Sequence, residues 1–118
     1  MEKTKKILSL KENHLFQKVY KKGKSYVSST LVLYVLKNYD RKHTLVGITV
    51  RKNRGGAVIR NRIRRKIKEA YRILSPFVKD GFIIVIVART ACKNAHFTVI
   101  QDELYALLKK AALLGDTE

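Results

Sequence analysis

The chain has 118 residues, the size of one domain, and 46% of them are hydrophobic, which excludes a wholly disordered basic tail. Its 26 Lys and Arg stand against 9 Asp and Glu, a net charge of +17. One cysteine, Cys92, excludes an internal disulfide framework and a cysteine-based zinc cluster. With no apolar run near the ~18 residues of a bilayer span, and no apolar core in the basic N-terminus such as a secretory signal needs, the expectation is a small soluble cytoplasmic protein.

Ser9 followed by Glu12 has capping-box spacing, and Leu15, Phe16 and Val19 then recur at helical spacing until Gly23. The β-branched and aromatic run from Tyr26 to Lys37 predicts a strand, with room in this long segment for one more. Asn38 to His43 reads as a polar hairpin loop, and Leu45 to Arg51 as a strand antiparallel to the first. In the next segment Ile59, Ile63, Ile67, Ala70, Tyr71 and Leu74 form a narrow apolar stripe on a cationic helix that Pro76 stops. Asp80-Gly81 turns the chain. Phe82 to Ala88 is apolar on both faces, as a central strand under helical cover should be. Thr98 and Gln101 repeat the capping-box spacing, with Asp102 and Glu103 in the first turn of a last helix ending near Gly115. The order is α-β-β-α-β-α, or α-β-β-β-α-β-α with the additional strand. This is a single-domain α+β fold with the basic helix as a β-α-β crossover on one sheet.

The charge is concentrated. Residues 1–24 hold eight lysines against two glutamates, and residues 51–72 hold ten Lys or Arg against Glu69 alone. Like charges at i, i+4 destabilise a helix by roughly 0.2–0.5 kcal/mol per pair, so such a helix implies a polyanionic partner. Arg60, Arg64 and Lys68 share one flank, and Arg65 and Arg72 another. The arginine fork suits phosphate, and Asn61 among them can hold an arginine or contact ribose or base. Lys52 and Arg54 precede Gly55-Gly56, where a chain without Cβ atoms can approach a phosphate closely. Phe16 and Tyr20 lie on one helix face, and Tyr34 shares its side of a strand with Val32 and Leu36. Such aromatics usually fill a core; exposed beside cations, they stack single-stranded bases.

Catalytic groups are not evident. His14, His43 and His96 are dispersed, no paired carboxylates suit metal-assisted hydrolysis, and no serine has a Gly-x-Ser-x-Gly setting. No catalytic residue and no metal ligand are assigned.

Gly55-Gly56-Ala57-Val58-Ile59-Arg60-Asn61-Arg62-Ile63-Arg64-Arg65 resembles the Arg-Asn-Arg signature of the protein subunit of bacterial ribonuclease P. Leu15-Phe16-Gln17-Lys18-Val19-Tyr20 with Gly23, then Leu33-Tyr34, then Val46-Gly47-Ile48-Thr49-Val50 with Lys52, follow the family's order and spacing. The resemblance implies an α/β sandwich with a left-handed β-α-β crossover, like that of some ribosomal proteins. It implies a protein that binds a catalytic RNA and the 5′ leader of precursor tRNA, while the RNA performs magnesium-dependent hydrolysis. Carried over by position, Phe16, Tyr20 and Tyr34 line a leader-binding cleft with Thr49 nearby, and Arg60, Asn61, Arg62 and Arg65 face RNA with Lys52 close to the junction. Many relatives carry a second Lys just after the position of Lys52; here Asn53 stands there and Arg54 follows. The partners implied are the catalytic RNA and precursor tRNA, with no membrane and no protein partner. Magnesium is implied through the RNA and substrate rather than through protein ligands. A general RNA-binding or ribosome-associated protein of similar fold is the alternative.

Overall fold

The computed structural model describes residues 8–38 and 43–115. Residues 1–7 of the basic N-terminal segment, most of the Asn38–His43 loop and Asp116 lie outside the described residues. The elements are β1 (Leu8–Ser9), α1 (Asn13–Lys22), β2 (Lys24–Val27), β3 (Leu31–Lys37), β4 (Leu45–Thr49), α2 (Ala57–Leu74), β5 (Phe82–Ala88) and α3 (Phe97–Lys110). One mixed sheet has the order β1-β4-β5-β3-β2.

β5 occupies the centre, parallel to β4 and antiparallel to β3. Alternate side chains leave a strand on opposite faces, so its unbroken apolar sequence supplies two cores. Ile84, Ile86 and Ala88 pack with α2 and α3; Ile83, Val85 and Val87 pack beneath α1. On α2 the expected stripe is buried at Ile63, Ile67, Ala70, Tyr71 and Leu74, with Ile59 at its margin. Each isoleucine or leucine fully withdrawn from water contributes about 1.5–3 kcal/mol, which holds a helix that its own charges oppose.

The long segment holds the additional strand expected: β2 and β3 are joined by a tight turn over Ser28 to Thr30 and paired with Ser25 opposite Tyr34. Other sequence expectations are corrected. The strand after the polar loop is not a hairpin partner of β3, because β5 lies between them. That position goes to the one strand apolar on both faces. The chain crosses over its start, where the Asn38 N–H donates to the Gly81 carbonyl and the Phe82 N–H to Thr44 Oγ1. Ser9 caps no helix. It sits in the unforeseen β1, parallel to β4, and Glu12 takes the N-cap position without a side-chain bond. His96 rather than Thr98 precedes α3, and Asp102 and Glu103 fall beyond its first turn. That helix stops at Lys110: Ala112 adopts φ 60° and the Leu113 N–H returns to the Leu108 carbonyl. Gly23 does close α1. A Cβ there would stand 2.7 Å from the Val19 oxygen and 2.8 Å from that of Val35.

Candidate nucleic-acid interface

Phe16 and Tyr20 project from one face of α1 beside the buried Val19, and Tyr34 rises to meet them from the α1 side of β3. The Phe16 and Tyr20 ring centroids are 6.5 Å apart, and the Tyr20 ring meets Tyr34 edge to face at 5.0 Å. The Tyr20 hydroxyl and Thr49 Oγ1, at the end of β4, share a hydrogen bond of 3.1 Å. All four residues are half-buried, so the rings are held from below yet open to solvent. The seat of Phe16 is Gly47: a Cβ on that residue would lie 2.5 Å from the ring's Cζ. A glycine inside a strand marks such a close approach.

The basic helix presents its cations unequally. Lys52, Asn61, Arg62, Arg65 and Lys68 are exposed. Arg54, in the short 3₁₀ turn before α2, is half-buried and donates through Nε to the Ala88 carbonyl at the end of β5, 3.2 Å away. Arg60 folds back onto the Gly55 carbonyl at 3.0 Å, and Arg64 donates to Asn61 Oδ1 at 3.1 Å. Arg72 is exposed but forked onto Glu69 at 2.9 and 2.6 Å. That hydrogen-bonded pairing holds the Glu69 carboxyl below its usual range and raises the guanidinium.

These two regions meet around the edge of β4. A cleft of about 210 Å³ there is lined by Phe16, Gly47 and Ile48 on one side and by Arg64, Lys68 and Tyr71 on the other. It stays open because β1 pairs only with Leu45 and Val46. Among the described residues no three His, Cys, Asp or Glu side chains stand together as a metal site. Cys92 is buried, and burial pushes its thiol up to about 11.

The profile of one family, ribonuclease P, matches residues 4–112. The chain belongs to the ribonuclease P protein family. Membership gives it a place in tRNA 5′-end processing with ribonuclease P RNA as partner. It is 43% identical to the ribonuclease P protein component of Clostridium acetobutylicum over 106 residues, 89% of each chain. It is 45% identical to that of Clostridioides difficile over 102 residues, covering 86% of this chain and 89% of the relative. The solved ribonuclease P protein of Staphylococcus aureus superposes with a TM-score of 0.84 at 34% identity, over 93% of this chain and all of that one.

Within this ribonuclease P family fold the Arg-Asn-Arg residues diverge locally, since Arg60 is tied to the helix start while Asn61 and Arg62 face outward. Three contributors were not foreseen as site residues. Gly47 seats Phe16; Arg89 is exposed and anchored through Nη1 to the Ser28 carbonyl at 2.7 Å; Val58, 71% exposed, is an apolar side chain on the cationic face of α2. Only Gly47 carried a signal in the sequence, a glycine in mid-strand.

Proposed function

We propose that this chain holds the 5′ leader of precursor tRNA in the groove of Phe16, Tyr20, Tyr34 and Thr49. In this reading the outward residues of α2, with Lys52, Asn61, Arg62, Arg65 and Lys68, bind the catalytic RNA of ribonuclease P. The carrying observation is a cluster of three half-buried rings, one of which, Phe16, also lines a cleft shared with Arg64 and Lys68. Stacking is worth about 1–3 kcal/mol per base and tolerates any sequence, as a leader that varies between tRNAs requires. The cations reduce repulsion between substrate and catalytic RNA, so the ribonucleoprotein should work at lower magnesium.

The chain contributes binding, and the hydrolysis belongs to the RNA. In this reading the magnesium ions are held by RNA and substrate. No helix among the described residues is long and apolar enough to cross a membrane, and the site of action proposed is the cytoplasm. Reconstitution tests the reading. Precursor tRNA is incubated at low magnesium with the cognate RNA, with the protein, and with both. Cleavage at the mature 5′ end is expected only with both. Tight RNA binding without enhancement would transfer the chain to general RNA binding, and cleavage by pure protein would refute the division of labour.

A further inference from the structure

The side of α2 turned furthest from the core begins with two residues that the fold does not call for. By helical geometry Val58, Arg62, Arg65, Glu69 and Arg72 lie along one line of the helix, opposite the buried Ile63, Ile67 and Leu74. Val58, in the first turn, is 71% exposed. An exposed valine alone is ordinary. Here it stands two residues after Gly56, whose lack of a side chain has no cause inside the chain. Gly56 has φ −72°, which any residue adopts, and a Cβ on it would meet no atom within 4 Å. It holds the N-cap position, where a serine or aspartate would satisfy a free helix amide, and no side chain caps α2. Gly55 differs, since its φ of 140° and a Cβ position 3.0 Å from Ile59 account for it within the fold.

The same line changes character along its length. At its far end Arg72 is forked onto Glu69 at 2.9 and 2.6 Å, so that end is self-neutralised. From Gly56 to Arg65 there is no acid and no aromatic residue, and Asn61, Arg62 and Arg65 are exposed. Asn61 Oδ1 already accepts from Arg64, which leaves its amide N–H groups to donate. The ridge is therefore low and partly apolar where it begins, and cationic about one to two turns later.

We propose that the ridge from Gly56 to Arg65 docks in the shallow minor groove of a double-helical segment of the ribonuclease P RNA. The minor groove of A-form RNA is wide, shallow and lined by 2′-hydroxyls, whereas side chains cannot read its deep, narrow major groove. Low relief at Gly56 and Val58 lets the ridge lie against riboses, Asn61 donates to a 2′-hydroxyl, and Arg62 and Arg65 reach the bordering phosphates. A single strand calls instead for stacking rings, and this ridge has none. The inference deepens the reading above that α2 binds the catalytic RNA, and rests on it.

The test uses the full chain and the ribonuclease P RNA, with affinity measured across a KCl series and thermal unfolding followed in parallel. Val58→Ala should weaken binding roughly 5- to 15-fold, the worth of two methyl groups withdrawn from water. Its slope of log K against log salt should match the wild type, whereas Arg62→Gln should lower that slope by about 0.7–0.9. The matched control is Val99→Ala, which removes the same groups from the exposed first turn of α3 and should leave affinity unchanged. Gly56→Ser should unfold at the wild-type temperature or above it and still bind the RNA more weakly. In hydroxyl-radical footprinting, the riboses that lose protection in Val58→Ala should lie on both strands of one helical segment. Wild-type affinity in Val58→Ala or Gly56→Ser, equal losses in Val58→Ala and Val99→Ala, or lost protection confined to a single strand would each overturn the helical docking and leave the leader groove intact. Failure of the wild type to bind the RNA would remove the underlying reading as well.

Discussion

Phe16 rests on a residue with no side chain, and that contact sets the groove's sensitivity. Gly47→Ala places a methyl 2.5 Å from the ring's Cζ, so the ring must swing out. Overpacking of this kind destabilises by about 1–3 kcal/mol. The larger consequence expected is for substrate. Gly47→Ala, and Phe16→Ala with Tyr20→Ala, should reduce affinity for leader-bearing tRNA by roughly 5- to 150-fold, the equivalent of one stacked base, and leave mature tRNA binding nearly unchanged. Equal losses on both RNAs, measured by fluorescence titration of folded variants, would refute the groove assignment. The aromatic spacing was legible in the sequence, but its exposure was not. Helical periodicity marks a face, and only the docking of α1 decides that Val19 fills the core while Phe16 and Tyr20 stand beside it. The Glu69–Arg72 fork was equally hidden, since a lone acid in a basic segment reads as an exception rather than a partner.

At the scale of the element, the strands were more legible than the helix starts. Both capping-box signals failed: Ser9 is extended beside Val46, and the last helix begins before Thr98, with His96 at its N-cap position. Glu103 illustrates the difference between a local and a tertiary role. Near the start of a helix it suggests a dipole effect, yet Oε1 accepts from the Thr30 N–H at 2.9 Å and the Thr30 hydroxyl at 2.7 Å, pinning α3 to the β2–β3 turn. Burial alone would raise this carboxyl; the hydroxyls of Ser28 and Thr30 and the turn's amides outweigh it and hold the group below its usual range. The folded pKa is thus lower than the unfolded value of about 4.3. The stabilisation is complete above that value and is lost as pH falls through the folded pKa. Glu103→Gln should therefore cost about 1 kcal/mol at pH 7, at the low end for a charged hydrogen bond because the carboxylate is partly solvated. The difference from wild type should shrink in urea unfolding as pH falls below the unfolded value and through the folded pKa; a pH-independent difference would contradict the charge-based account. The order of strands was not readable, because a polar loop between two strands looks the same whether they pair or flank a third.

For the whole molecule, charge and apolar pattern already indicated one α+β domain made to meet a polyanion. The Arg-Asn-Arg resemblance narrowed that to the family which the matched profile establishes. The sheet has a seam: β3 and β4 touch only through β5, and α2 lies in the chain between β4 and β5. A fragment of residues 1–81, lacking β5, is expected to show no cooperative thermal transition by circular dichroism, whereas the full chain should show one. A cooperative transition in the fragment would mean that β4 and α2 find another partner.

That central position of β5 also has a consequence in time. During synthesis the chain emerges from its N-terminus, and β3, β4 and the apolar stripe of α2 are all made before the strand that covers them. Until Phe82 to Ala88 appears, the nascent chain can close little more than the β2–β3 hairpin and carries a long basic helix with its isoleucines uncovered. Folding of this domain is therefore set by its last third: the sheet closes in a late, single event, and any pause in translation before β5 lengthens the interval in which a sticky, strongly cationic intermediate is exposed to whatever polyanion is nearest.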